Sequence, residues 1–175
     1  MVVGSFASSV YGRLRTTYDA DLIANLTLGH VSSLVDAMKG DFYVDRGQVE
    51  QAIRSKRSFN LIHLQSAFKV DIFPLANRPF DREAFSRRVK QQILRDSEVA
   101  LWTQTAEDTL LSKLEWFRMG QEVSDTQWQD VLGVLKRQAG RLDVTYLHKW
   151  ANELGVADLL ERAFGETQET PSAGQ

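Results

Sequence analysis

The sequence predicts an α/β chain of the α+β kind, with a mixed-sheet core over residues 1–95, a helical lobe over residues 96–164 and a disordered tail over residues 165–175. Three observations carry this. The first half alternates short apolar strand-like runs with helical patterns, whereas the second half is almost wholly helical in period. At 175 residues, with 43% apolar and 25% charged side chains, the chain is long enough and apolar enough to bury a core. The tail is polar and contains Pro and Gly.

The elements follow in order. Val2-Val3 is a short strand running straight into Gly4-Ser5, and Phe6 to Tyr11 reads as a short helix. Only three residues precede Gly4, so this first strand is truncated: either the start lies upstream or the core is trimmed at one edge. Asp19 to Ala24 alternates, with Asp19 and Asp21 on one face and Ala20 and Leu22 on the other, which is a strand pattern. Ser32-Ser33 caps a helix to Met38, Asp41-Phe42-Tyr43-Val44 is a short strand, and Gln48 to Lys56 has the spacing of a polar helix. Asn60–Leu64 and Lys69–Phe73 make a hairpin, after which Pro74 and Pro79 end the sheet.

Beyond that point helices are expected. One runs from Asp81 to Leu94, and Ser97–Leu101 fits either type of element. Thr105 opens a helix to about Met119, with Glu107 and Asp108 in its first turn and Leu110, Leu114 and Phe117 as its apolar stripe. Ser124, with Gln127 three residues on, starts the next, which buries Trp128, Val131, Leu132 and Leu135. The short connection makes these two helices antiparallel neighbours. Asp143–Leu154 and Val156–Phe164 complete the lobe.

Several classes of function are excluded. The chain has no cysteine, so it has neither disulfides nor thiol chemistry. Its net charge of −2 gives no global field for nucleic acid or an anionic membrane, so any polyanionic ligand must be held by a local cluster of donors. No apolar run spans a bilayer and no signal peptide opens the chain, which points to a cytoplasmic protein with no membrane partner. His30, His63 and His148 lack ligand spacing and read as structural. The aromatics Trp116, Trp128, Tyr146 and Trp150 sit at helical spacing and read as core.

What remains is a set of acids, glycine and cations in the first half. Gly4-Ser5, between a strand and a helix, offers unpaired N–H groups to a phosphate, or is an ordinary turn. Asp19 and Asp21 converge from one strand face, and paired carboxylates of this kind suit Mg²⁺ or else a solvated edge. If the strand bearing Lys69 and Asp71 lies beside that one, three carboxylates meet, enough for metal-assisted displacement at phosphorus. Lys69 then neutralises a phosphate or pairs with an acid. Arg13 and Arg15 supply bidentate phosphate contacts or surface charge. Lys113, at the margin of its helix's apolar stripe, reaches into a cleft or snorkels at the surface.

The succession Gly4-Ser5, Arg13 and Arg15, Thr17-Tyr18-Asp19-Ala20-Asp21 and Lys69-Val70-Asp71 resembles the nucleotidyltransferase superfamily, the fold of the catalytic core of DNA polymerase beta and of aminoglycoside nucleotidyltransferases. The nearest likeness is to bacterial relatives of the abortive-infection toxin nucleotidyltransferases. The stretches Glu107–Arg118 and Ser124–Val131 share it, and it covers roughly residues 1 to 164. The resemblance implies a nucleotidyltransferase core followed by a helical lobe. It also implies an enzyme moving a nucleoside monophosphate from a nucleoside triphosphate to a hydroxyl of tRNA, protein or a small molecule, within or outside a toxin–antitoxin pair. Gly4 and Ser5 would cradle the β- and γ-phosphates, Asp19 and Asp21 would bind Mg²⁺, and Asp71 would complete the metal site and help deprotonate the acceptor. Lys113 and Asp130 would line the nucleotide side or lock the helical lobe. A non-catalytic member of the same fold, acting as a binding or regulatory protein, is the alternative.

Overall fold

The computed structural model describes residues 1–12, 17, 19–92 and 99–168. Arg13, Arg15 and the last residues of the polar tail lie outside the described residues. The chain divides into two compact units, Met1–Phe6 with Thr16–Gln104, and Ala7–Arg15 with Thr105–Gln175. Helix α1 (Gly4–Tyr11) begins in the first and ends in the second.

The first unit is a seven-stranded mixed sheet with helices. Its strands are β1 (Val2–Val3), β2 (Asp19–Ala24), β3 (Phe42–Tyr43), β4 (Phe59–His63), β5 (Lys69–Pro74), β6 (Val89–Gln92) and β7 (Ala100–Thr103), in the order β3-β4-β5-β2-β1-β7-β6. The pairs β2/β5 and β1/β7 are parallel and the rest antiparallel. The two-residue strand β1 is interior, between β2 and β7, rather than at a trimmed edge. Its neighbours hold it from both sides, with Ile23 N donating to Met1 O and Gln104 N to Val2 O.

Alternation puts one sheet face into a core. Phe59, Leu61 and Ile72 are buried with Val31 of α2 (Val31–Met38) and with Val49, Ala52 and Ile53 of α3 (Arg46–Ser55). Helix α3 starts at Asp45, whose carboxylate accepts from Gln48 N at 2.7 Å, and stops at Lys56 in the left-handed region. The serine pair does not cap α2. A 3₁₀ turn, Leu28–His30, precedes that helix, Thr27 and His30 form the capping box, and Ser33 Oγ donates back to His30 O.

The sheet does not end at the prolines, and the helix expected to Leu94 is shorter. Helix α4 (Pro79–Ser86) begins with proline at its start and gives way to β6, which pairs with β7. Lys90, Gln91 and Gln92 are good helix formers, but pairing with Ala100–Trp102 overrides that weak preference. Strand β7, left ambiguous by its sequence, is thus a member of the sheet.

In the second unit the expected helices form: α5 (Ala106–Met119), α6 (Asp125–Arg137), α7 (Val144–Glu153) and α8 (Ala157–Gln168). Thr105, Ser124 and Asp143 cap the first three by accepting from Asp108 N, Gln127 N and Tyr146 N. Leu110, Leu114 and Phe117 pack in the interior, as do Trp128, Val131, Leu132 and Leu135. Lys113 meets Asp130, and the Phe117 ring lies 5.1 Å from that of Trp128. One sequence number rises as the other falls, so α5 and α6 are antiparallel. Two expectations change. Helix α8 continues past Gly165 to Gln168, and Trp116 is 51% exposed rather than core. No helix among the described residues is long and apolar enough to cross a membrane.

Candidate functional site

The register of two parallel strands builds the site. Asp21 lies opposite Asp71, and Asp19 opposite Lys69. Residues paired across neighbouring strands project to the same side, and so do residues two apart along one strand. Asp19, Asp21, Lys69 and Asp71 therefore share one sheet face, opposite to the face where Leu22 and Ile72 meet the core. Asn60 of β4, opposite Asp71, belongs to this face too. The sequence reading passed over it, although Asn60 alternates with the buried Phe59 and Leu61.

Three acids on one face repel one another unless a cation stands among them. Lys69 is that cation. Its Nζ lies 2.7 Å from Asp71 Oδ2, with Asp71 the more sheltered partner. The hydrogen bond to Asp71, and then its charge, hold the Lys69 ammonium above the ordinary lysine range, and the charges of Asp19 and Asp21 push the same way. Of the two roles open to Lys69, this structure has it paired with an acid. Asp19 is steadied separately, because Thr17 Oγ1 lies 3.0 Å from both its carbonyl oxygen and its Oδ1.

Gly4 closes on the same site. Its φ of 63° lies in the left-handed region, where a side chain is disfavoured. A Cβ built there would fall on Asp21 Oδ2 and stand 2.9 Å from Cγ. Glycine is thus required twice, by the backbone and by the carboxylate against it. Ser5 follows in the first turn of α1.

Among the described residues, no group of three or more His, Asp or Glu side chains is gathered as a ready metal cage. Mg²⁺ does not demand one, since it is commonly held by one or two carboxylates together with waters and substrate phosphates. Asp19 and Asp21 offer hard oxygens of that kind from one sheet face, and the Asp21 carboxylate sits where a side chain at Gly4 would stand.

Lys113 belongs to the second unit and is neither a surface side chain nor a free cation. It is buried, its Nζ 2.8 Å from Asp130 Oδ2, and Asp130 is 3% exposed. Ser8 Oγ of α1 approaches the same oxygen at 3.4 Å. Asp130, on α6, thus meets a residue of α5 rather than water. A second buried acid, Asp108, accepts from Thr105 Oγ1 at 2.8 Å and from the Tyr146 hydroxyl at 2.6 Å. The Thr-x-x-Asp spacing at 105–108 was its sequence signal. The histidines hold local bonds: His30 to Thr27, His63 to Ser66 and His148 to Glu161.

No protein-family model matches the chain, and no curated protein matches it significantly.

Proposed function

We propose that the chain is a Mg²⁺-dependent nucleotidyltransferase that moves a nucleoside monophosphate from a nucleoside triphosphate to a hydroxyl acceptor. The observation that carries the reading is the β2/β5 register, which sets Asp19, Asp21 and Asp71 on one face with Gly4 against Asp21. The chemistry of that donor set supports it: carboxylates for a hard cation, and a glycine-led helix start for phosphate.

In this reading Asp19 and Asp21 hold Mg²⁺, which when bound neutralises and orients the triphosphate. Backbone N–H groups at Gly4-Ser5 cradle the β- and γ-phosphates. Asp71 takes the proton of the acceptor hydroxyl. The hydroxyl oxygen forms a bond to the α-phosphorus, the bond from that phosphorus to the β-phosphate bridging oxygen breaks, and pyrophosphate leaves. Lys69 exchanges Asp71 for a phosphate oxygen, which frees that carboxylate for its role. The acceptor is tRNA, a protein side chain or a small molecule, and membership of a toxin–antitoxin pair is compatible with each.

The Lys69–Asp71 ion pair also favours a second reading, a non-catalytic nucleotidyltransferase-fold protein in which the third carboxylate stays occupied. The test is incubation of the protein with each of the four α-³²P-labelled nucleoside triphosphates, Mg²⁺ and a mixture of RNA and protein acceptors. Label transferred by the wild type and not by Asp19→Asn/Asp21→Asn is the expected result. Binding of nucleotide with no transfer to any acceptor would favour the second reading.

A further inference from the structure

We propose that the β6–β7 end of the sheet is a binding site for a single-stranded polynucleotide, built from Arg88, Lys90 and Trp102. The inference stands whether or not the chain transfers nucleotides. Trp102 is 44% exposed on β7, and Lys90 is its direct partner on β6. The Lys90 ammonium lies 5.3 Å and the Arg88 guanidinium 5.0 Å from the indole ring. Arg88 also stacks at 4.4 Å on Phe85 and donates to its carbonyl oxygen, which anchors the guanidinium at its base. Neither cation has a carboxylate partner among the described residues.

Two cations with no counter-charge among the described residues form a local field that an anion would complete. An exposed indole against both cations selects the anion: a ligand with flat rings and phosphates, as in a nucleic acid strand. A base stacking on Trp102 displaces a cation from the ring, and the displaced cation then meets the strand's phosphate. Arg88 and Lys90 bring two positive heads to one ring, so a strand stacked on it meets a cation for each of two phosphates.

The direction of the strand follows from the register. Thr103 pairs with Val2, which pairs with Leu22, so these three share the core face. Trp102 and its partner Lys90 therefore project to the opposite face, the one carrying Asp21. Strand β7 is two intervals from β2, about 10 Å across the sheet. A strand leaving Trp102 across β1 reaches the carboxylates within a few nucleotides.

The test is fluorescence anisotropy of a labelled, unstructured 12-nucleotide RNA, its DNA equivalent and a duplex of the same sequence, at several salt concentrations and without triphosphate. The wild type should bind both single strands better than the duplex. Trp102→Ala should weaken binding about tenfold, and Trp102→Phe should keep most of it. Arg88→Gln with Lys90→Gln should flatten the slope of log affinity against log salt by about 1.4, for two phosphate contacts on a single strand. Lys90→Gln alone, at an exposed position, should remove about half of that. The Asp19→Asn/Asp21→Asn variant, which loses two negative charges on this face, should bind the oligonucleotide at least as tightly as the wild type, so a failure of transfer and a failure of strand binding remain separate results. No binding by the wild type, equal affinity of Trp102→Ala, an unchanged salt slope or a preference for duplex would each overturn the proposal.

Discussion

Removing Lys113 should cost the fold far more than an ordinary lysine substitution. Lys113 and Asp130 are 9% and 3% exposed at their side chains and 2.8 Å apart. Lys113→Ala would take from the buried Asp130 carboxylate its charged donor at 2.8 Å, while Ser8 Oγ approaches the same oxygen at 3.4 Å. Breaking such a pair from one side costs about 3–5 kcal/mol. For a chain of this length each kcal/mol moves the melting temperature by about 2–4 °C, so the loss should be roughly 6–20 °C. Replacing both partners, as Lys113→Met with Asp130→Leu, removes both buried charges and should recover most of that stability. Urea and thermal unfolding of the two variants measure this directly. A Lys113→Ala variant within 1 kcal/mol of the wild type would show that the pair is solvated and refute the reasoning. The folded double variant, rather than Lys113→Ala, is then the protein in which to measure whether Lys113 contributes to nucleotide binding.

Two further outcomes are expected. Gly4→Ala should lose about 1–2 kcal/mol from the left-handed backbone alone, plus the cost of moving the Asp21 carboxylate, so in an Asp21→Ala background its effect should shrink by at least about 1 kcal/mol; equal costs in both backgrounds would place Asp21 elsewhere. Glu166 accepts from the Trp128 indole N–H at 2.9 Å, and this bond, helped by Arg162, holds its carboxyl below the ordinary glutamate range. A depressed folded value stabilises above the unfolded value and is lost as pH falls through the folded one, so the stability gap between wild type and Glu166→Gln should be constant near neutrality and close below about pH 4.3; a gap that widens in acid would reverse the assignment.

Periodicity made much of this molecule legible before its structure. Alternation at Asp19–Ala24 and Lys69–Phe73 put the carboxylates on defined faces, and the caps at Thr105, Ser124 and Asp143 marked helices that form there. Strands β6 and β7 were not legible, because Lys90, Gln91 and Gln92 prefer helix in isolation and become a strand only by pairing with residues ten positions away. The interior place of Val2-Val3 was hidden for the same reason, since two residues carry no period and only their neighbours in the sheet decide where they sit. Lys113 misled in another way. A lysine at a stripe margin suits water, an open cleft or a buried acid equally well, and the acid that decides is 17 residues away on another helix. The match of Asp21 to Asp71 was foreseen only as a condition, because local alternation sets a face but not which strands are neighbours.

Whether Asp19 and Asp21 bind a triphosphate through Mg²⁺ is read by thermal unfolding with and without nucleotide. At a free ligand concentration one hundred times Kd, binding to the folded state alone adds about 2.7 kcal/mol, a rise of roughly 5–11 °C for a chain of this size. The wild type should show that rise with Mg²⁺ and nucleoside triphosphate and lose it when Mg²⁺ is chelated, and Asp19→Asn/Asp21→Asn should show no Mg²⁺-dependent part. An equal Mg²⁺-dependent rise in that variant, or no rise in the wild type with any of the four nucleotides, would contradict binding through these two carboxylates.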